Sequence, residues 1–168
     1  GSDIAVTAGG TLLGADPDRA QIELTGPDSL AALTAAQIIG LDGRGFRTAV
    51  SALDLAVLDR LAVIETLGDL QLIGLSGGRV TVDLHVRGGL ALAGDYRTGA
   101  GSMVVLTATG GDITNTGPGS VGLGHGTWQL TAFEGAIANP GLPLRLVQPD
   151  ESLLLAAARG DVMIDGGA

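Results

Sequence analysis

Arg159-Gly160-Asp161, within AAARGDVMIDGG at 156–167, sets a guanidinium and a carboxylate on either side of one small residue. Integrins on cell surfaces read this tripeptide in many adhesive proteins. A ligand-binding role for Arg159, Gly160 and Asp161 is one reading; a turn that carries an arginine by chance is the other. The two histidines, His85 and His125, each lack a second ligand at metal spacing, so no metal site is expected. In VDLHVRGG, Asp83 and His85 alternate onto one strand face and can form a hydrogen-bonded pair. No GxSxG supplies a serine nucleophile beside them, so a polar outer face is the expectation. GPGSVG at 117–122 matches a dinucleotide fingerprint in letters, but LGHGTWQL follows it where a helix would have to open. No cofactor is expected. Trp128, next to the GLGHG loop, is the candidate exposed ligand anchor, with core packing as its alternative.

The acids are scattered: Glu65 and Asp69, Asp83, Asp95, Asp112, Glu134, Asp150 and Glu151, Asp161 and Asp165. A retaining glycosidase needs two carboxyls about 5 Å apart, which only the stacking of distant segments would supply here. Thr114 and Thr116 form a single Thr-x-Thr rung. Gln71 and Ile73, Ala91 and Ala93, and Met163 and Asp165 hold the corresponding places, so a regular threonine array is not expected.

Composition limits the elements that could position these groups. The chain has 168 residues, of which 29 are Gly, 45% are hydrophobic and only 2% are aromatic, which fits thin, layered packing in one domain. High apolar content argues against disorder, so the glycines read as turn punctuation. The net charge is −9 and all nine basic residues are Arg without a cluster, which excludes the concentrated cationic footprint that nucleic acid requires. Docking on anionic lipid is disfavoured too, and no apolar run is long enough for a membrane span. With no Cys, disulfides, Cys-zinc sites and thiol catalysis are excluded.

An internal repeat organises the chain. GDLQLIG, GGLALAG, GDITNTG, GAIANPG and GDVMIDG each run from one glycine to another six residues on. The turn glycines are thus Gly68 and Gly74, Gly88 and Gly94, Gly111 and Gly117, Gly135 and Gly141, and Gly160 and Gly166. Successive units start 20, 23, 24 and 25 residues apart, the length of one solenoid coil. An alternating run precedes each unit: LAVIETL, VTVDLHVR, MVVLTATG, WQLTAFE and LLLAAAR. Alternation sends Ile113 and Asn115, or Val162 and Ile164, to one interior face. Asn115 and Asn139 fall at corresponding inward positions and could form a side-chain ladder. The expected fold is an all-β, right-handed parallel β-helix of about seven coils with a less regular N-terminal third. It forms a single β-solenoid domain over 1–168, read as a fragment of a longer protein, with Gly1-Ser2 in the form of a tag remnant.

In that N-terminal third the period is ambiguous. Residues 29–40, SLAALTAAQIIG, fit either a strand or a helix capped by Ser29 and ended by Gly40. Leu53, Val57, Leu61 and Ile64 have helical spacing, while Leu53, Leu55, Val57, Leu61 and Val63 give a strand face interrupted by Asp59. The repeat frame entering Gly68 favours strand, and a helix-containing α/β domain is the alternative.

The segment MVVLTATGGDITNTGPGSVGLGHGTWQLTAFEGAIANPG at 103–141 resembles the repeat region of filamentous-haemagglutinin-like exoproteins of the two-partner secretion route and of related autotransporter passengers. The likeness is clearest over 61–168 and rests on LTATGGDITNTG and LTAFEGAIANPG. It implies a right-handed β-helix exported by a Gram-negative cell, through a partner pore in the outer membrane. It also implies a secreted or outer-membrane-associated location and a role in adhesion, biofilm or cell-cell contact. The secretion domain that usually opens such proteins is not recognisable here, and residues 15–60 fit the pattern poorly.

Two functions follow as expectations. One is a non-enzymatic adhesin segment, stalk or binding surface, whose partner is a host or bacterial cell-surface glycan or protein. The other is a β-helical polysaccharide lyase or hydrolase, or its binding part. They differ in whether acids converge on one groove. Open solenoid ends would expose strand edges, so end-to-end contact is expected as well.

Overall fold

The computed structural model describes the chain apart from residues 42–43, 66, 95, 117–120, 139–141, 143, 147–151 and 166–168. Among the described residues it forms strands with no α-helix: β1 (Asp3–Thr7), β2 (Thr11–Gly14), β3 (Ile22–Glu23), β4 (Leu30–Gly40), β5 (Phe46–Ala49), β6 (Ala52–Glu65), β7 (Leu70–Ser76), β8 (Thr81–Val86), β9 (Leu90–Leu92), β10 (Tyr96–Arg97), β11 (Met103–Ala108), β12 (Ile113–Asn115), β13 (Val121–Leu123), β14 (Gly126–Ala132), β15 (Leu144–Leu146), β16 (Ser152–Ala158) and β17 (Ile164–Asp165). Among the described residues no helix is therefore long and apolar enough to cross a membrane.

Every pairing between these strands is parallel, and the chain winds as a β-solenoid of about six turns. On one face, β2, the second half of β4, the second half of β6, β8, β11, β14 and β16 stack in that order as seven rungs joined by the six turns. The opposite side begins with β1 and the first halves of β4 and β6, and passes to β7, β9 and β12. Isolated bridges from Ile113 to Ile137 and from Ile137 to Val162 extend it. A smaller sheet of β13, β15 and β17 closes the C-terminal coils.

Alternation produces this stack directly. β8 reads exposed-buried three times over, with Val82, Leu84 and Val86 inward, and β14 sends Trp128, Leu130 and Ala132 inward. Adjacent rungs repeat at about 4.8 Å, so each inward Leu or Val sits between equivalents above and below. Burying each contributes roughly 2 kcal/mol. Ile113 and Asn115 both point inward, as their spacing predicts, whereas Val162 and Ile164, expected on the same interior face, are each 42% exposed on the last coil, and Asn139 lies outside the described residues.

Both ambiguous N-terminal segments are strands. Leu53, Leu55, Val57, Leu61 and Val63 of β6 are buried. The chain turns its corner at Leu58 and Asp59, where one extra residue enters the pairing between Ala35–Val57 and Gln37–Arg60. Ser29 caps no helix: it is buried and its Oγ accepts a hydrogen bond from the Ser51 amide. Residues 15–21 form an excursion closed by Gln21, whose side chain accepts from the Ala15 amide and donates to the Asp16 and Arg19 carbonyls.

Of the turn glycines, Gly117, Gly141 and Gly166 lie outside the described residues. At Gly94 a Cβ would overlap the Ile73 carbonyl of the preceding coil, and at Gly88, Gly111 and Gly135 it would likewise meet neighbouring-coil backbone. Gly68 adopts φ of 137°, a region that side chains with a Cβ rarely occupy.

Candidate functional site

The repeat glycines bring one corner of successive coils into a column. Leu70 pairs with Leu90, Leu90 with Ile113, Ile113 with Ile137 and Ile137 with Val162. The dipeptides just before them, Gly68-Asp69, Gly88-Gly89, Gly111-Asp112, Gly135-Ala136 and Gly160-Asp161, therefore stack on one another. Acid alternates with a small residue along this column, and the alternation has a use. Asp69 Oδ1 accepts the Gly89 amide of the next coil at 2.8 Å, and Asp112 Oδ1 accepts the Ala136 amide at 2.7 Å. A glycine or alanine in the intervening coil leaves room for the carboxylate that reaches across.

Beside this column lies a shallow trough of about 840 Å³. Its lining combines the corner residues Asp69, Gly89, Gly111 and Asp112 with the outward residues Gln71, Ala91, Thr114 and Thr116, and Pro27 and Ser51 close one end. Gln71, Ala91 and Thr114 are registered neighbours on three consecutive rungs, so the floor is a flat strip of small and polar side chains. Such a strip offers amide, hydroxyl and carboxylate partners to an extended polar ligand. Asp69 and Asp112 stand two coils apart, roughly 10 Å at the usual strand spacing.

Arg159, Gly160 and Asp161 are all exposed at this corner on the last coil. Gly160 donates its amide to the Gly135 carbonyl, so it is held by the column like the glycines before it. Arg159 is the residue that the turn does not require. Directly alongside is Phe133, 61% exposed, because Arg159 donates its amide to the carbonyl of Ala132.

Trp128 is not a surface anchor. It is 0% exposed, its ring lies 5.7 Å from that of Tyr96, and its Nε1 donates to the Gly124 carbonyl at 2.8 Å. The strand phase accounts for this, since Trp128 shares the inward face of β14 with Leu130 and Ala132, leaving Gln129, Thr131 and Phe133 outside. A second recess of about 470 Å³ is lined by Tyr96, Arg97, Thr98, His125 and the glycines Gly77, Gly99, Gly122 and Gly124.

Asp83 and His85 do pair on the outer face of β8, with His85 Nε2 2.9 Å from Asp83 Oδ1 and both side chains about half exposed. The groups flanking them are Ala62 and Ile64 on one rung and Val105 and Thr107 on the other. No cluster of three or more His, Asp and Glu suited to a metal occurs among the described residues. The sequence aligns Gln71, Ala91 and Thr114 as corresponding places but does not mark them as a binding strip, and it does not single out the exposed Phe133. Their common signal is the outward phase of each alternating run. No family model, no curated protein and no solved structure matches the chain.

Proposed function

We propose that the chain is a non-enzymatic β-solenoid segment of a secreted or cell-surface bacterial adhesin, a stiff rod with its binding surface along the Gly-Asp corner. The observation that supports this most is the trough: a flat, polar, small-residue strip repeated over three rungs beside a hydrogen-bonded column. Stiffness follows from the stack, since β4, β6, β8, β11 and β14 each have parallel partners on both sides. A cell-surface glycan or protein is the partner, and the exposed Phe133 and Arg159 extend the surface at one end. Export through an outer-membrane pore follows from the resemblance of 103–141.

The rival reading, a carbohydrate-active enzyme, would use Asp69 and Asp112 in the same trough. Their separation of roughly 10 Å exceeds the ~5 Å of a retaining pair and falls just beyond the ~6.5–9.5 Å of an inverting pair. Each carboxylate also has one oxygen engaged by a backbone amide, which suits a structural latch.

The test is binding of the purified chain to a panel of cell-surface glycans and to integrin-bearing cells, with release of reducing ends followed in parallel. Attachment that Gln71→Ala with Thr114→Ala weakens, without release of reducing ends, supports the reading. Turnover of any polysaccharide would replace it with the enzyme. Attachment of integrin-bearing cells unchanged by Arg159→Ala would remove the tripeptide from the surface.

A further inference from the structure

Resting on the reading of the trough as a binding surface, we infer that its ligand is a linear glycan of amino sugars, whose ammonium groups sit on Asp69 and Asp112. The trough lies on β7, β9 and β12, rungs with a parallel neighbour on both sides.

Charge selects the kind of sugar. The charged side chains among the described lining residues are Asp69 and Asp112, and the residues outside the described ones include no Arg or Lys. Neither carboxylate forms an ion pair among the described residues. In each, Oδ1 accepts an amide of the next coil, at 2.8 Å for Asp69 and 2.7 Å for Asp112, which fixes the rotamer. Oδ2 is left to accept from a ligand, and a cationic donor makes the strongest such bond. A chain of net charge −9 also draws a polycation toward it and repels a uronate or sulfated chain.

The floor selects a glycan over a basic peptide. β7 lies between β6 and β9, and β9 between β7 and β12, so their amides and carbonyls are already engaged and an extended peptide finds no strand edge to join. The trough offers short side chains instead: Gln71, Thr114, Thr116 and Ser51, with Ala91 as a low step between the first two. Such groups meet the hydroxyls of sugar rings laid flat across them. Asp69 and Asp112 stand two rungs apart, roughly 10 Å. In a flat β-1,4-linked chain every second ring presents the same edge at a step of similar length, so amines on alternate rings reach the two carboxylates in turn.

Calorimetric titration with three β-1,4-linked hexamers tests this: glucosamine, N-acetylglucosamine and mannuronate. At about pH 6 the aspartates are ionised and the sugar amines protonated. The glucosamine hexamer is expected to bind at least about tenfold more tightly than the other two, with an affinity that falls as salt is added. Asp69→Asn with Asp112→Asn keeps an oxygen for the Gly89 and Ala136 amides, so the fold should persist by circular dichroism while the preference for glucosamine disappears. Asp83→Asn, on the outer face of β8, should leave the preference intact. A preference that survives the double substitution, or falls equally with Asp83→Asn, would reduce it to diffuse surface charge and overturn the assignment. So would N-acetylglucosamine or mannuronate bound as tightly as glucosamine, or a lysine hexapeptide bound more tightly than any of the three. Failure to bind all of the hexamers would overturn it as well, while attachment of the chain to cells, weakened by Gln71→Ala with Thr114→Ala, would still uphold the trough as a binding surface.

Discussion

The coils before Glu65 and those after Gly68 enclose the same kind of core but turn their corners by different means. In the first region β4 and β6 run for 11 and 14 residues and bend through a corner without breaking, aided by an extra residue near Leu58 and Asp59. In the second region the chain stops at each corner on a glycine and starts a new, shorter strand, as between β8 and β9 or β11 and β12. A bulged corner accepts ordinary side chains because the extra residue swings outward, as exposed Leu58 does. The corners at Gly88, Gly94, Gly111 and Gly135 are tighter, since the backbone of the neighbouring coil fills the space a Cβ would need. The lesson is that corner chemistry, not coil length, separates the regions: the bulged coil from Leu30 to Ala52 spans 22 residues (52 minus 30), within the range of the glycine-cornered coils, yet only the glycine corners impose a readable period.

The largest effect that would test this contrast is in the interior of the second region. Trp128→Ala removes the largest fully buried side chain together with its bond to Gly124. It should lower the unfolding free energy by about 4 kcal/mol, by the usual cost of truncating a buried aromatic. Chemical denaturation measures this. An unchanged midpoint, with binding lost instead, would return Trp128 to the surface.

Next are the glycines themselves. Gly94→Ala forces a methyl into the Ile73 carbonyl and should cost about 3 kcal/mol, the range of overpacking against a backbone that cannot retreat. Leu58→Ala, at the bulged corner of β6, trims a side chain that is 70% exposed and should stay within about 0.5 kcal/mol of the parent. Equal losses at both positions would mean that the corners do not differ as described. Thermal melts of the two variants decide it.

A smaller difference separates the latches of the two regions. Asp112→Ala frees the Ala136 amide and should cost about 1 kcal/mol, the net worth of one partly exposed hydrogen bond. Gln21→Ala should lose a similar amount, but its signature is local: the 15–21 excursion becomes a site of faster proteolytic cleavage. Limited proteolysis with mass spectrometry reads the difference, and Asp112→Ala should leave cleavage at 15–21 unchanged.

The same contrast explains what the residue pattern revealed. The glycine of each repeat unit was legible because the corner demands it, and the alignment of Gly68, Gly88, Gly111, Gly135 and Gly160 is the register that the pairings have. Strand and helix were indistinguishable over β4 and β6 because a bulge disturbs the alternation. Leu53, Val57, Leu61 and Ile64 then acquire helical spacing by coincidence, with Asp59 on the outside of the bend. The trough was only partly legible. Gln71, Ala91 and Thr114 stand out as corresponding outward residues, but a groove arises from stacking coils and from the depth of the Gly-Asp corner, which no single segment encodes. Trp128 was placed by its neighbouring loop when the phase of Trp128, Leu130 and Ala132 carried the better information.

The smallest effect concerns the pair whose residue types look most chemical. Asp83 and His85 touch at 2.9 Å on an outer face, with both side chains about half in water. Solvent screens their attraction, and fixing two side chains offsets part of it, so such pairs contribute at most about 1 kcal/mol. Their outer-face neighbours Ala62, Ile64 and Val105 are apolar, and Thr107 is the one hydroxyl alongside. His85→Ala and Asp83→Ala should each shift stability by no more than about 0.5 kcal/mol, the scale of ordinary surface substitutions. A double-mutant cycle should find a coupling of similar size that shrinks as salt is added. Coupling well above this and insensitive to salt would mean that the pair is desolvated by a bound partner. The outer face of β8 would then replace the Gly-Asp trough as the surface to probe.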